Sequence, residues 1–104
     1  MRTLTLALVL ALLGAAPAAA KTKSIRIGDD FFKPKSVTVA KGTVVKWKWT
    51  GSRQHNVVVK KGPRHFRSDL LRSGSFARKL KTRGTYKIIC SIHAPDMHMT
   101  IRVT

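Results

Sequence analysis

Residues 86–97 contain three side chains of the kind that bind transition metals. They are the thiol of Cys90, the imidazole of His93 and the thioether of Met97, at the end of an apolar run. Soft sulfur ligands select Cu(I), and imidazole binds copper in both oxidation states. One cysteine, two histidines and a weak axial methionine form the ligand set of electron-transfer copper sites. The segment therefore holds all of this set except one histidine.

His55 is the candidate for the missing ligand, because it lies 35 residues before Cys90 and just ahead of another apolar run. With this histidine in place, the sequence resembles the plastocyanin branch of the cupredoxins, which are small blue-copper proteins. The resemblance covers nearly all of residues 21–104. The motifs that carry it are, in order, His55-Asn56-Val57-Val58, Gly74-x-Phe76, Gly84-x-Tyr86-x-x-x-Cys90-x-x-His93, Met97 and a terminal strand.

The resemblance implies one type 1 copper ion, which would cycle between Cu(I) and Cu(II). His55, Cys90 and His93 would be its strong ligands, and Met97 would be its weak axial ligand. Met97 follows His93 with one residue fewer between them than is usual in plastocyanins, so Met99 is the alternative axial ligand. We favour Met97 because its spacing from His93 is closer to the family pattern.

Asn56 is expected to support the site without binding the metal. In plastocyanin-like proteins the asparagine after the first histidine ligand joins the two ligand loops by hydrogen bonds, and Asn56 occupies that position. The alternative for Asn56 is a simple turn residue. The resemblance also implies that His93 reaches the surface within an apolar patch. His65 and His98, in contrast, are predicted to be solvated histidines outside the site.

The pattern along residues 21–104 predicts an all-β fold. Val45, Trp47 and Trp49 lie at every second position, which is the pattern of a half-buried strand. Several short runs of this kind, separated by glycine and proline, are typical of a β-sandwich. The resemblance narrows this prediction to a Greek-key β-sandwich of cupredoxin type with seven or eight strands.

Two segments interrupt the strand pattern. Residues 31–34 are predicted to form a break, where Pro34 indicates the edge of a sheet or a bend. Residues 68–71 are predicted to form a single helical turn with Ser68 as its cap. No other helix is expected in residues 21–104.

Residues 1–20 have the features of a secretory signal peptide. Arg2 supplies a positive start, residues 4–13 are apolar, and Ala18-Ala19-Ala20 provides small residues for cleavage. The apolar stretch is short for a membrane span, so we expect no stable membrane insertion after cleavage. The sequence therefore predicts an exported protein, periplasmic or extracellular, with residues 21–104 as one domain.

The chain is strongly basic. It has 21 lysines and arginines against 4 acidic residues, which gives a formal net charge of +17. Because Arg2 is the sole charged residue of 1–20, the predicted domain keeps +16. Such a charge speaks to partners rather than to fold, and we expect redox partners with an acidic docking patch. A polyanion-binding domain is a further hypothesis, but the export signal and the lack of surface-placed aromatic residues argue against nucleic acid.

These observations favour a monomeric one-electron carrier over an enzyme. Three strong protein ligands leave little room for a substrate, and the chain has few carboxylates for acid–base chemistry. The alternative is a copper capture or delivery protein, in which the same residues bind Cu(I) for transfer without redox turnover. Reversible one-electron cycling would separate the two.

Overall fold

The computed structural model describes residues 20–104, which form eight strands in two sheets. The strands are β1 (Thr22–Gly28), β2 (Phe31–Lys33), β3 (Ser36–Val39), β4 (Thr43–Trp49), β5 (Val58–Lys61), β6 (Ser75–Leu80), β7 (Gly84–Ile89) and β8 (His98–Val103). The first sheet has the order β2-β1-β4-β6 and the second has the order β3-β8-β7-β5. The prediction of an all-β sandwich is confirmed. The predicted signal peptide, residues 1–20, lies outside the described residues except for Ala20.

The first sheet presents an alternating face to the core. Val45, Trp47 and Trp49 of β4 are buried, whereas Lys46 and Lys48 between them are exposed. This alternation arises because successive side chains of a strand point to opposite faces. β4 pairs in parallel with β1 and antiparallel with β6, so it lies in the interior of its sheet.

The second sheet supplies the opposing face of the core. Tyr86 and Ile88 of β7 are buried together with Met99 and Ile101 of β8, as their period-two spacing predicts. Cys90 follows β7 on the same inward face and is also completely buried. The end of β7 therefore delivers the thiol into the space between the two sheets.

Residues 31–34 differ from the prediction of a break. Phe31–Lys33 forms β2, a short strand that pairs antiparallel with β1 at the edge of the first sheet. Burial of the Phe32 side chain accounts for this strand, because one buried aromatic ring contributes about 1.5–3 kcal/mol. Pro34 directly follows, at a position where a sheet edge tolerates proline.

The predicted helical turn at residues 68–71 is wrong. Ser68 instead pairs with Val57, donating its backbone N–H to the Val57 carbonyl at 2.8 Å and accepting the Val57 N–H on its hydroxyl at 2.9 Å. A serine hydroxyl can satisfy the backbone of a helix or that of a neighbouring segment. Here a long-range partner takes the place of the local helix.

Besides β2, the strand β6 was not predicted from the sequence. In β6, Leu80 is buried and Phe76 is half-buried, whereas the other four residues are exposed. An edge strand with so little buried surface carries almost no period-two signal. No helix formed by residues 20–104 is long and apolar enough to cross a membrane.

Candidate metal centre

Three of the predicted ligands come together between the sheets. The Cys90 sulfur and one nitrogen from each of His55 and His93 lie within 4.8 Å of one another. Cys90 Sγ is 3.9 Å from His55 Nδ1 and 3.5 Å from His93 Nδ1. His55 and Cys90 are completely buried, whereas the His93 side chain is 24% exposed. His93 is therefore the member of this group that reaches solvent.

Backbone hydrogen bonds within the loop between β7 and β8 connect its two ends. His93 N–H donates to the Cys90 carbonyl at 3.2 Å, and Met97 N–H donates to the His93 carbonyl at 3.1 Å. Cys90 N–H in turn donates to the Met97 carbonyl at 3.1 Å. These bonds fold the eight-residue loop into consecutive turns, so that one short segment carries a thiol, an imidazole and a thioether.

His55 is held by its backbone on the opposite side. Its N–H donates to the Leu71 carbonyl at 2.9 Å, and Leu71 N–H donates back at 3.0 Å. The His55 carbonyl also accepts a 3.0 Å hydrogen bond from the indole nitrogen of Trp49. The segment that was predicted to be helical thus fixes the backbone of the first histidine.

Asn56 joins the two loops that carry the ligands. Its side-chain N–H donates to Ser91 Oγ at 2.9 Å, and its oxygen accepts the Ser91 backbone N–H at 2.8 Å. Asn56 is 1% exposed, whereas its partner Ser91 is exposed, so the bonds are part-buried. They connect the residue after His55 with the residue after Cys90, and they restrict relative movement of the two loops.

Met97 and Met99 are both buried, but they have different surroundings. The Met99 sulfur accepts a hydrogen bond from the indole nitrogen of Trp47 at 3.4 Å. Trp49, two residues further along β4, donates its indole N–H to the His55 carbonyl. Met99 therefore packs against a tryptophan that lies further from His55, deeper in the core. Met97 lies within the loop that carries His93. This difference supports Met97 as the axial ligand and Met99 as a core residue.

The remaining two histidines lie apart from this group. His65 and His98 are both exposed, as predicted. His98 Nδ1 lies 3.0 Å from the Pro95 carbonyl oxygen and 3.2 Å from that of Asp96. This contact stabilises the end of the ligand loop from outside.

Two carboxylates next to the histidines escaped the sequence analysis. Asp29 Oδ1 lies 3.2 Å from His55 Nε2, and Asp30 Oδ1 lies 3.3 Å from His93 Nε2. Both belong to the turn between β1 and β2. The available signal was composition: two of only four acidic residues are adjacent in a chain of net charge +17.

Asp29 is held as an anion by its surroundings. The backbone N–H groups of Arg53 and Ser52, followed by the His55 ring, hold the pKa of the Asp29 carboxyl well below its usual range. An anionic acceptor at His55 Nε2 favours the tautomer with the proton on that nitrogen. Nδ1, which faces Cys90, is then free to bind a metal.

The donor set fits a thiolate- and imidazole-binding metal ion. Bonds of about 2.0 Å to nitrogen and 2.3 Å to sulfur, as zinc makes, separate two donors by about 3.7 Å when they are set at about 120°. The observed sulfur–nitrogen distances of 3.9 and 3.5 Å bracket this value. Two imidazoles and one thiolate with a distant thioether are typical of electron-transfer copper sites.

Comparison with known proteins identifies the family. Residues 19–104 match the model of the copper-binding proteins of the plastocyanin/azurin family. The chain belongs to this family. Copper is therefore its cofactor, and the resemblance to plastocyanin-like cupredoxins is confirmed. Plastocyanin from Prochlorothrix hollandica is 33% identical over 94 residues, which cover 79% of this chain and 72% of that protein.

Solved structures support the same fold. The oxidised plastocyanin of Dryopteris crassirhizoma is 28% identical, with a TM-score of 0.67 over 79% of this chain and 100% of that one. A copper-containing nitrite reductase from Thermus scotoductus SA-01 is 26% identical, with a TM-score of 0.71. That match covers 86% of this chain but only 23% of the reductase. The sandwich of this chain is thus similar to the whole of a small plastocyanin and to part of a longer reductase chain.

Proposed function

We propose that this protein is an exported type 1 copper protein that carries one electron at a time between redox partners. The observation that carries the proposal is the convergence of Cys90 Sγ with one ring nitrogen from each of His55 and His93 within 4.8 Å. Met97 completes the proposed ligand set as a weak axial donor. Bound copper supplies the one-electron redox chemistry.

The residues around the proposed ligands keep the site rigid. Asn56 ties the two ligand loops together, and Trp49 and Leu71 hold the His55 backbone. Donor atoms that cannot relax hold the same positions in both oxidation states. Such a site needs little rearrangement when it gains or loses an electron.

Burial of the ligands supports a carrier over a delivery protein. Cys90 and His55 have no exposed surface, so an acceptor protein could not reach their donor atoms without opening the sandwich. His93 offers the partial exposure that an electron needs to leave through an imidazole edge. Beside it, Ile92 is 52% exposed and supplies an apolar contact surface.

The charge supports an acidic partner. A groove of about 600 Å³ on the outer side of the second sheet is lined by Lys60, Lys61 and Lys87. It lies next to Pro95 of the ligand loop and His98 at the start of β8. Complementary charge accelerates encounter more than it strengthens the final complex. We therefore assign these lysines to the recruitment of an acidic redox partner by a monomeric carrier.

The visible spectrum of the purified protein tests the proposal. Cu(II) should produce an intense blue absorption from thiolate-to-copper charge transfer, which ascorbate bleaches and reoxidation restores through many cycles. Cys90→Ser should lose the band, whereas Ser91→Ala, a change at the neighbouring position, should keep it. A colourless Cu(II) complex would refute the type 1 assignment. Rapid transfer of Cu(I) to a chelator, without reversible voltammetry, would favour delivery instead.

A further inference from the structure

We propose that Asp29 and Asp30 form an outer carboxylate pair that orients both histidines and stabilises the Cu(II) state. The inference rests on the proposed function, because it concerns the same site. It adds two positioning residues that contact the imidazole rings from behind, on the side opposite Cys90. Their Oδ1 atoms lie 3.2 and 3.3 Å from the Nε2 atoms of His55 and His93.

Asp29 is built into the fold. Its carboxylate accepts the backbone N–H groups of Ser52 and Arg53 at 3.0 and 2.9 Å and the Ser52 hydroxyl at 3.1 Å. A side chain at position 51 would collide with the carboxylate, so Gly51 provides the space that Asp29 occupies. These contacts fix Asp29 beside the completely buried ring of His55.

Asp30 reaches the second histidine from the same turn. Its backbone has a φ of 72°, a left-handed conformation in which aspartate and asparagine are enriched among non-glycine residues. This conformation directs two consecutive carboxylates toward two different rings. The other oxygen of Asp30 lies 3.3 Å from Arg53 Nη1, so the carboxylate is held from both sides.

The chemistry of the arrangement follows from where the protons lie. A carboxylate that accepts Nε2–H fixes the tautomer in which Nδ1 carries the lone pair, and it makes that nitrogen a stronger donor. Both effects favour the more highly charged metal ion. In a chain of net charge +17, two adjacent anions at the site also offset the repulsion that Cu(II) would experience.

Asparagine substitutions test the pair with little change of shape. Asp30→Asn keeps an acceptor oxygen and tolerates the left-handed backbone, but it removes the charge; Asp29→Asn does the same at the buried ring. Asp69→Asn is the matched control, since it removes one carboxylate from an exposed position outside the site. Each site variant should bind Cu(II) about tenfold more weakly, with little loss for Cu(I). A tenfold change in relative affinity raises the reduction potential by about 59 mV for one electron.

Two measurements distinguish an effect of Asp29 and Asp30 on the reduction potential from an effect on stability alone. Voltammetry of the copper-loaded variants reports the potential, which a loss of stability alone would not shift. The ¹⁵N shifts of the imidazoles in copper-free wild-type protein, at a pH where both rings are neutral, should show the proton on Nε2 of His55 and His93. This measurement is independent of the variants' folding and of copper binding, so it stands even if the type 1 assignment fails.

Each remaining outcome decides the inference. Potentials of Asp29→Asn and Asp30→Asn that shift no more than that of Asp69→Asn would overturn it. A proton on Nδ1 of either ring in the copper-free protein would overturn it as well. A rise in potential that is confined to the two site variants, together with Nε2 protonation, would establish the pair.

Discussion

The indole nitrogen of Trp49 donates a 3.0 Å hydrogen bond to the backbone carbonyl of His55. Trp49 ends β4 in the first sheet, and His55 lies in the connection that leads to β5 in the second sheet. A single bond therefore couples the end of one sheet to the backbone of a proposed ligand. It is the second hydrogen bond to this buried carbonyl, which also accepts the Leu71 N–H at 3.0 Å.

Trp49→Phe should destabilise the copper-free protein by about 0.5–1.5 kcal/mol, because the His55 carbonyl loses one of its two hydrogen bonds and keeps the one from Leu71 N–H. It should also broaden the blue band, since the His55 backbone is less restrained. Trp47→Phe is the matched control: Trp47 donates only to the weakly accepting sulfur of Met99. Urea unfolding and the visible spectrum measure the two effects. Equal changes in both variants would show that ring volume, rather than the hydrogen bond, is responsible.

Asn56→Ala should cost more stability than Ser91→Ala. The first change removes both hydrogen bonds between the ligand loops, whereas the second removes only the one to the serine hydroxyl. We expect losses of about 2–3 and about 1 kcal/mol in the free energy of unfolding. Asn56→Ala should also accelerate copper loss to a chelator, because the loops can separate. Identical copper-loss rates in wild type and Asn56→Ala would contradict the assigned role.

Met97→Leu should change the reduction potential, whereas Met99→Leu should change mainly the stability. Leucine at position 97 removes the proposed weak donor, so the reduction potential should rise while the site stays blue. Leucine at position 99 removes the hydrogen bond from Trp47 and should cost less than about 1.5 kcal/mol, with the potential nearly unchanged. Voltammetry and thermal unfolding of the two variants measure these effects. A potential that responds to position 99 and not to position 97 would reverse the axial assignment.

Tyr86 should make the protein lose stability at alkaline pH. Its hydroxyl donates to the Thr82 carbonyl at 2.8 Å, and burial raises the pKa of Tyr86 above its ordinary value. The unfolded chain therefore releases this proton first, and the contribution of Tyr86 is complete below about pH 10. It is lost as the pH rises through the folded-state pKa.

Comparison with Tyr86→Phe isolates this effect from the titration of the lysines. The variant should be less stable at neutral pH by about 1 kcal/mol, because it lacks the hydrogen bond. That deficit should shrink as the pH rises above about 10. Urea unfolding across this range measures it, and a deficit that is constant with pH would refute the prediction.

The positive charge should govern encounter with small redox probes. Reduction by the hexacyanoferrate(II) anion should slow as salt is added, whereas reduction by a ruthenium hexaammine cation should accelerate, since screening is strong above about 0.1 M. Lys60→Gln, in the groove beside the ligand loop, should slow the anionic reaction more than Lys21→Gln, at the residue just before β1. Stopped-flow rates that do not depend on ionic strength would contradict electrostatic recruitment.

The sequence alone determined those features that depend on neighbours along the chain. Cys90, His93 and Met97 lie within eight residues, so their joint presentation follows from local spacing. The alternation of apolar and polar residues predicted that Trp47 and Met99 face inward, because a strand with one buried face has apolar residues at every second position. His55 could be named from the sequence as a candidate, because it lies ahead of another apolar run, and the family resemblance supported the choice. Nothing local connects it to a loop 35 residues away.

Tertiary structure decided the features that depend on which segments meet. Ser68 was predicted as a helix cap, yet it bonds to Val57, a partner 11 residues away. Asp29 and His55 are separated by 26 residues, and they meet because the parallel pairing of β1 with β4 brings their following turns to the same end of the sandwich. Local propensity carries no information about such a pairing. The contacts that orient the histidines therefore emerge only when the two sheets assemble.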